Sequence, residues 1–156
     1  MLVAKKLIKS LIKANLSLAV AESASGGHVS YLLTETPGAS KVFKGSLVVY
    51  SLEAKNKLLG LAIKNLKKNQ GVSKAIASRL AKKVKKKLNA DIGAALVGFA
   101  GPNAPKESKL GIFFIAVSSK NKSLVKKIFL KGTRNQVRKK SSLLLIQLIY
   151  ESLYCH

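Results

Sequence analysis

The apolar residues of this chain follow two periods. Over residues 2–15, Val3, Leu7, Ile8, Leu11 and Ile12 fall on one side of a helical wheel, with Lys5, Lys6, Lys9 and Lys13 elsewhere, which predicts an amphipathic first helix. The same period returns after Ser73, a good N-cap. Ile76, Leu80, Val84 and Leu88 recur every fourth residue, joined by Ala77 and Ala81, while Lys82, Lys83, Lys85, Lys86 and Lys87 cover a solvated face. Short continuous apolar runs punctuate these helices. Residues 17–21 and 92–97 read as buried strands, and 42–50 reads as a strand whose Leu47-Val48-Val49 suggests a central place in a sheet. Residues 111–118 and 124–130 read as a hairpin turning at Lys120-Asn121. Further helices are predicted over 25–35, ended by Pro37-Gly38, over 52–59, and from 133 to 154, where the apolar run 143–150 reads as buried.

The resulting order is α-β-α-β-α-α-β-β-β-α. Strands alternating with helices and followed by a hairpin imply an α/β fold, a three-layer α/β/α sandwich around a mixed sheet. A length of 156 residues suits a single domain spanning 1–156. The lysine-broken N-terminus lacks the continuous apolar core of a signal peptide, and no apolar run reaches the length of a membrane span, so no membrane association is expected. Cys155 is the one cysteine. That excludes a disulfide framework and a cysteine metal site, and it makes a reducing, cytoplasmic setting the default.

The formal charge is +23. Such an excess suits a binder of nucleic acid or another polyanion. The distribution argues instead for a general lysine bias. Of 29 basic residues three are arginines, Arg79, Arg134 and Arg138, and no aromatic residues are interleaved with the lysines for base stacking. Loose, salt-sensitive polyanion binding is still expected.

In sheets of this kind ligands bind beyond the carboxyl ends of parallel strands. Two glycine-containing loops fall there, AESASGG at 21–27 and GFAGPNA at 98–104. The chemistry available to them is narrowed by the inventory. The six acids are scattered, and His28 and His156 are the only histidines, so no metal-ligand cluster is evident. Cys155 lies at the chain end, poorly placed for a nucleophile. A Ser-His-Asp triad would need His28 on the helix following Ser23, a poor geometry. Serine with lysine remains. Ser23 sits at a strand-to-helix turn, where the amides around Ser25, Gly26 and Gly27 could hold an oxyanion or a phosphate, or simply cap the helix. Lys55 lies near the start of the helix after the Leu47–Val49 run, with Tyr50 nearby to orient or relay a proton. To act as a base, that lysine must be neutral. Glu22 could orient the loop or Lys55, or could cap the helix.

In combination these segments are more specific. AESASGG, PGASKVFKGSLVVYSLEAKNKLLG, GFAGP and GTRNQVR, in this order and over nearly the whole chain, resemble the CinA C-terminal domain family. The resemblance implies nicotinamide mononucleotide deamidation, a step of pyridine nucleotide salvage yielding nicotinate mononucleotide and ammonia. It implies no metal or organic cofactor, and the expected partners are that substrate and further copies of the chain in a homo-oligomer such as a dimer. Because the chain starts at the helix before AESASGG, it looks like the stand-alone form of the domain. Matched to the family's motifs, Ser23 is the nucleophile, Lys55 the base and Tyr50 the tyrosine beside it. Gly26 and Gly27, with Ser25, shape the turn, Gly98 and Gly101 belong to the second loop, and Arg134 and Arg138 are placed to grip a phosphomonoester. The sequence departs from the family at four places. Ala24 stands for cysteine, Ser25 for threonine, Val97 for threonine, and Asn103-Ala104 for a glycine pair. A ligand hydrogen bond at position 97 would be lost. The alternatives to an active deamidase are a degenerate homologue with a binding or regulatory role and a basic nucleic-acid-associated protein. The competence association in the family's name does not establish a DNA contact.

Overall fold

A computed structural model describes residues 2–154. Cys155 and His156 lie outside the described residues. The chain runs α1 (Leu2–Ala14), β1 (Leu18–Glu22), α2 (His28–Thr34), β2 (Phe43–Val48), α3 (Leu52–Leu59), α4 (Ile63–Lys68), α5 (Lys74–Lys87), β3 (Ile92–Gly98), β4 (Ile112–Ser118), β5 (Ser123–Phe129) and α6 (Arg134–Ser152). The strands form one sheet in the order β2-β1-β3-β4-β5. Strand β1 is parallel to both β2 and β3, whereas β4 and β5 return antiparallel. This is the mixed sheet expected, with the hairpin at its far end.

The period-two alternation of the central strands sorts their side chains between two cores. Leu18, Val20, Ile92, Ala94, Leu96, Phe113 and Ile115 pack with Leu7, Ile8 and Leu11 of α1 and Leu145, Ile146 and Ile149 of α6. On the other face Ala19, Ala21, Ala95 and Ala116 meet Ile76, Ala77, Leu80, Ala81 and Val84 of α5. The small residues on that second face let α5 approach closely. A Cβ on Gly93 would lie 2.0 Å from the Ala81 carbonyl oxygen, so nothing larger than glycine fits there. The N-cap predicted at Ser73 is present, and α6 is capped as well. Ser73 accepts from the Ile76 amide, and Thr133 and Gln136 form a reciprocal capping box at the start of α6.

Four expectations need correction. Residues 42–50 do not form a central strand: β2 is an edge strand, and Val48 is 46% exposed. A bulge offsets its pairing, since Leu18 opposes Phe43 but Ala19 opposes Gly45, and Val49 is buried beyond the strand's end. Helix α2 begins at His28 rather than near Ser25, because Gly26 (φ 56°) and Gly27 (φ 95°) hold left-handed conformations that no helix continues through. The run 143–150 is not buried all round; Leu143 and Leu144 face outward while Leu145, Ile146, Leu148 and Ile149 are buried. On α1, Ile12 is 40% exposed and Ala4 takes a core place. Helix α4 was not legible at all, having six residues of which only Leu66 is buried. Among the described residues no helix is long and apolar enough to cross a membrane.

Candidate active site

Ser23 follows the last residue of β1 at the carboxyl end of the parallel strands, and its amide donates to Leu96 O of β3 (3.1 Å). The sheet ladder therefore runs up to the serine itself. Its neighbour Glu22 shares a face with Val20 and points toward α2. The Glu22 carboxylate is fully buried and accepts from the amides of Gly27 (3.0 Å), Val29 (3.0 Å) and Ser30 (2.9 Å) and from the Ser30 hydroxyl (2.5 Å). Ser30 Oγ in turn lies 2.5 Å from Ser46 Oγ of β2. Glu22 thus caps α2 from the neighbouring strand and satisfies its orphan amides. This overturns the expectation that the Gly26 and Gly27 amides hold an oxyanion. Gly27 serves Glu22, and the Gly26 amide donates to Ser23 O (3.0 Å). The amides of Ala24 and Ser25 are the ones in this turn without a protein acceptor among the described residues.

Lys55 approaches from the other side. Ser51 caps α3 by accepting from the Ala54 amide (3.0 Å), which sets Lys55 in the first turn. Its stem lies beneath the turn before α5, where a Cβ on Gly71 would come within 2.9 Å of Leu52 Cδ2 and 3.3 Å of Lys55 Cε. Lys55 is 2% exposed. Its Nζ lies 2.9 Å from Ser23 Oγ, 2.8 Å from Val49 O and 3.3 Å from Tyr50 O. Burial lowers its pKa from the ordinary 10.5 to about 8. The geometry also suits the neutral amine. Two carbonyls take its two N–H groups, which leaves the lone pair for the proton of Ser23. Tyr50 contributes to this dyad through its backbone carbonyl; its hydroxyl is engaged elsewhere.

A cavity of about 230 Å³ opens over the dyad, bounded by Ala24, Gln70, Val72, Phe99, Asn103 and Arg134 with the Gly98–Gly101 backbone. Arg134 stands at its mouth, donating to Gly101 O and to the Tyr50 hydroxyl (2.8 Å). Among the described residues its guanidinium meets no carboxylate. Arg138 does not line the cavity. It holds the serine turn from outside, Nε donating to Ala24 O (3.1 Å) and a terminal nitrogen to Ser25 O (2.9 Å). Gly26, Gly27 and Ser25 shape that turn without reaching the cavity, and the buried Ser25 hydroxyl has no partner among the described residues. Gly98 and Gly101 do line it. Val97 is fully buried in the α5-side core, away from the cavity, so its missing hydroxyl removes no contact there. His28 stacks on Tyr31 (ring centroids 5.8 Å apart), outside the dyad. Gln70, Val72 and Phe99 escaped the sequence reading. The Asn69-Gln70-Gly71 turn before the Ser73 cap was the available signal, but its position over Lys55 depends on the unforeseen α4.

A mixed α/β sheet with a buried serine–lysine pair beyond its parallel strand ends defines the class. Residues 2–153 match the CinA C-terminal domain family, and the chain belongs to that family. It is 42% identical over 134 residues to a CinA-like protein of Prochlorococcus marinus (strain MIT 9312), covering 84% of this chain and 31% of that protein. The chain thus spans about a third of that relative's length. In fold it matches a crystal structure of a competence-damaged protein (CinA) superfamily protein from Enterobacter cloacae with a TM-score of 0.91 and 27% identity, over 97% of this chain and 90% of that one. The competence damage-inducible protein A of Klebsiella pneumoniae superposes with a TM-score of 0.92 at 23% identity, over 97% of this chain and 94% of the other.

Proposed function

We propose that this protein is an amidohydrolase that removes the carboxamide nitrogen of nicotinamide mononucleotide, with Ser23 as nucleophile and Lys55 as base. The observation that carries this reading is the 2.9 Å contact between a desolvated lysine amine and a serine hydroxyl at the floor of a cavity. The neutral Lys55 takes the Ser23 proton as Oγ bonds to the amide carbon. The carbonyl π electrons move onto oxygen, for which the unengaged amide of the cavity-lining Ala24 is the available donor. Collapse of this intermediate breaks the carbon–nitrogen bond, and the Lys55 ammonium gives its proton to the departing nitrogen, releasing ammonia. Water then adds to the acyl-serine, Lys55 accepts its proton and returns it to Ser23 Oγ, and the carboxylic acid leaves. Arg134, at the mouth and without a carboxylate partner, suits the substrate's phosphate. Homo-oligomer formation and salt-sensitive polyanion binding belong to the same proposal and rest on the family and on the charge of +23.

Ammonia release from nicotinamide mononucleotide tests the reading. The protein is expected to release it and Ser23→Ala to lose it at least ~10³-fold while remaining folded. A folded, unaltered protein that releases none would overturn the proposal in favour of a binding role.

A further inference from the structure

Among the described residues three non-glycines adopt positive φ: Asn15 (52°), Gln70 (50°) and Asn89 (48°). Each follows a helix end, the place where a left-handed residue closes the last turn. Two are asparagines, whose short polar side chain tolerates this conformation. Glutamine has no such accommodation, and the backbone there would be relaxed by glycine. Gln70 therefore carries strain that its turn does not require. Gln70 lines the cavity over Ser23 and Lys55, and its carboxamide makes no hydrogen bond to another described residue. The next residue, Gly71, lies against the Lys55 stem, which fixes Gln70 on the lysine side of the cavity, one residue from the proton acceptor. Arg134 is tied instead to the Gly101 side. An exposed, unengaged carboxamide at the edge of the serine–lysine cavity can both accept and donate, which matches a primary carboxamide that also does both.

We infer that Gln70 is a substrate-binding residue that grips the scissile carboxamide, its Oε1 accepting an N–H of that group. This rests on the amidohydrolase reading and adds to it the residue that binds the reacting end. Gln70→Gly tests it, because this change relaxes the turn and cannot be confused with misfolding. Nicotinamide mononucleotide binding is measured by calorimetry with Ser23→Ala and with the Ser23→Ala, Gln70→Gly double variant, alongside their melting temperatures. The expected result is a Kd weakened roughly five- to twenty-fold by the glycine, at an equal or higher melting temperature. In the serine-containing enzyme the same loss should appear in KM with kcat little changed. Gln70→Glu, which keeps an acceptor at this position, should recover most of the affinity. An unchanged Kd in the double variant overturns the role of Gln70 alone. Absence of binding to Ser23→Ala with Gln70 intact overturns the substrate reading and this inference together.

Discussion

Lys55 sets the pH behaviour of the site. Its pKa of about 8, against an ordinary 10.5, comes from burial. Below that pH the ammonium form prevails, so for the proposed amidohydrolase kcat/KM should climb about tenfold per pH unit up to roughly pH 8 and level off above it. The same shift governs stability. Between about 8 and 10.5 the unfolded chain holds a proton at this lysine that the folded chain has released, so stability rises with pH across that window and is flat below it. Urea unfolding should show the native protein gaining about 2 kcal/mol relative to Lys55→Met between pH 7 and pH 9.5. A constant gap would mean that the amine titrates as it does in water. From sequence alone, Lys55 was one lysine among many, and only the family's motif singled it out. The Gly71 turn closes against its stem, a tertiary contact that no local pattern encodes.

At the scale of elements, the turn carrying Ser23 is braced by Glu22 inside and by Arg138 outside. Replacing Glu22 by alanine leaves three amides and a hydroxyl without their acceptor. It should cost about 3 kcal/mol or more, read by denaturant unfolding, and should lower kcat by displacing Ser23. A loss within 0.5 kcal/mol would show that water replaces the carboxylate freely. The long elements were legible because their periodicity is strong: α1, α5 and β3 were predicted within a residue or two of their bounds. The start of α2 was misread locally, at Gly26 and Gly27. The place of β2 in the sheet and the existence of α4 depend instead on pairing or packing beyond the segment itself. The placement of Arg138 on the serine turn rather than in the cavity was hidden for the same reason, since the carbonyls it binds are more than a hundred residues away in sequence.

For the molecule as a whole, charge is poorly balanced. Among the described residues one salt bridge is present, Lys126 with Glu151 at 3.3 Å, and Glu22 and Asp91 are committed to amides and hydroxyls. With a formal charge of +23, lysine repulsion acts over the whole surface. Added salt shortens its range from ~30 Å at 0.01 M to ~8 Å at 0.15 M. The melting temperature should therefore rise with sodium chloride over this range, each kcal/mol of relieved repulsion appearing as about 2–4 °C. A melting temperature independent of salt would show that the lysines are spaced widely enough not to interact.

The Glu22 cap has a consequence for how such a site changes over generations. Because the residue that anchors α2 is the immediate neighbour of Ser23, assembling the sheet and presenting the serine are one event. In a descendant of this chain, drift of the turn would unseat a helix and cost the fold its stability. Exchange of the Ser23 or Lys55 side chain alone leaves that brace in place, so a descendant altered there would keep the turn.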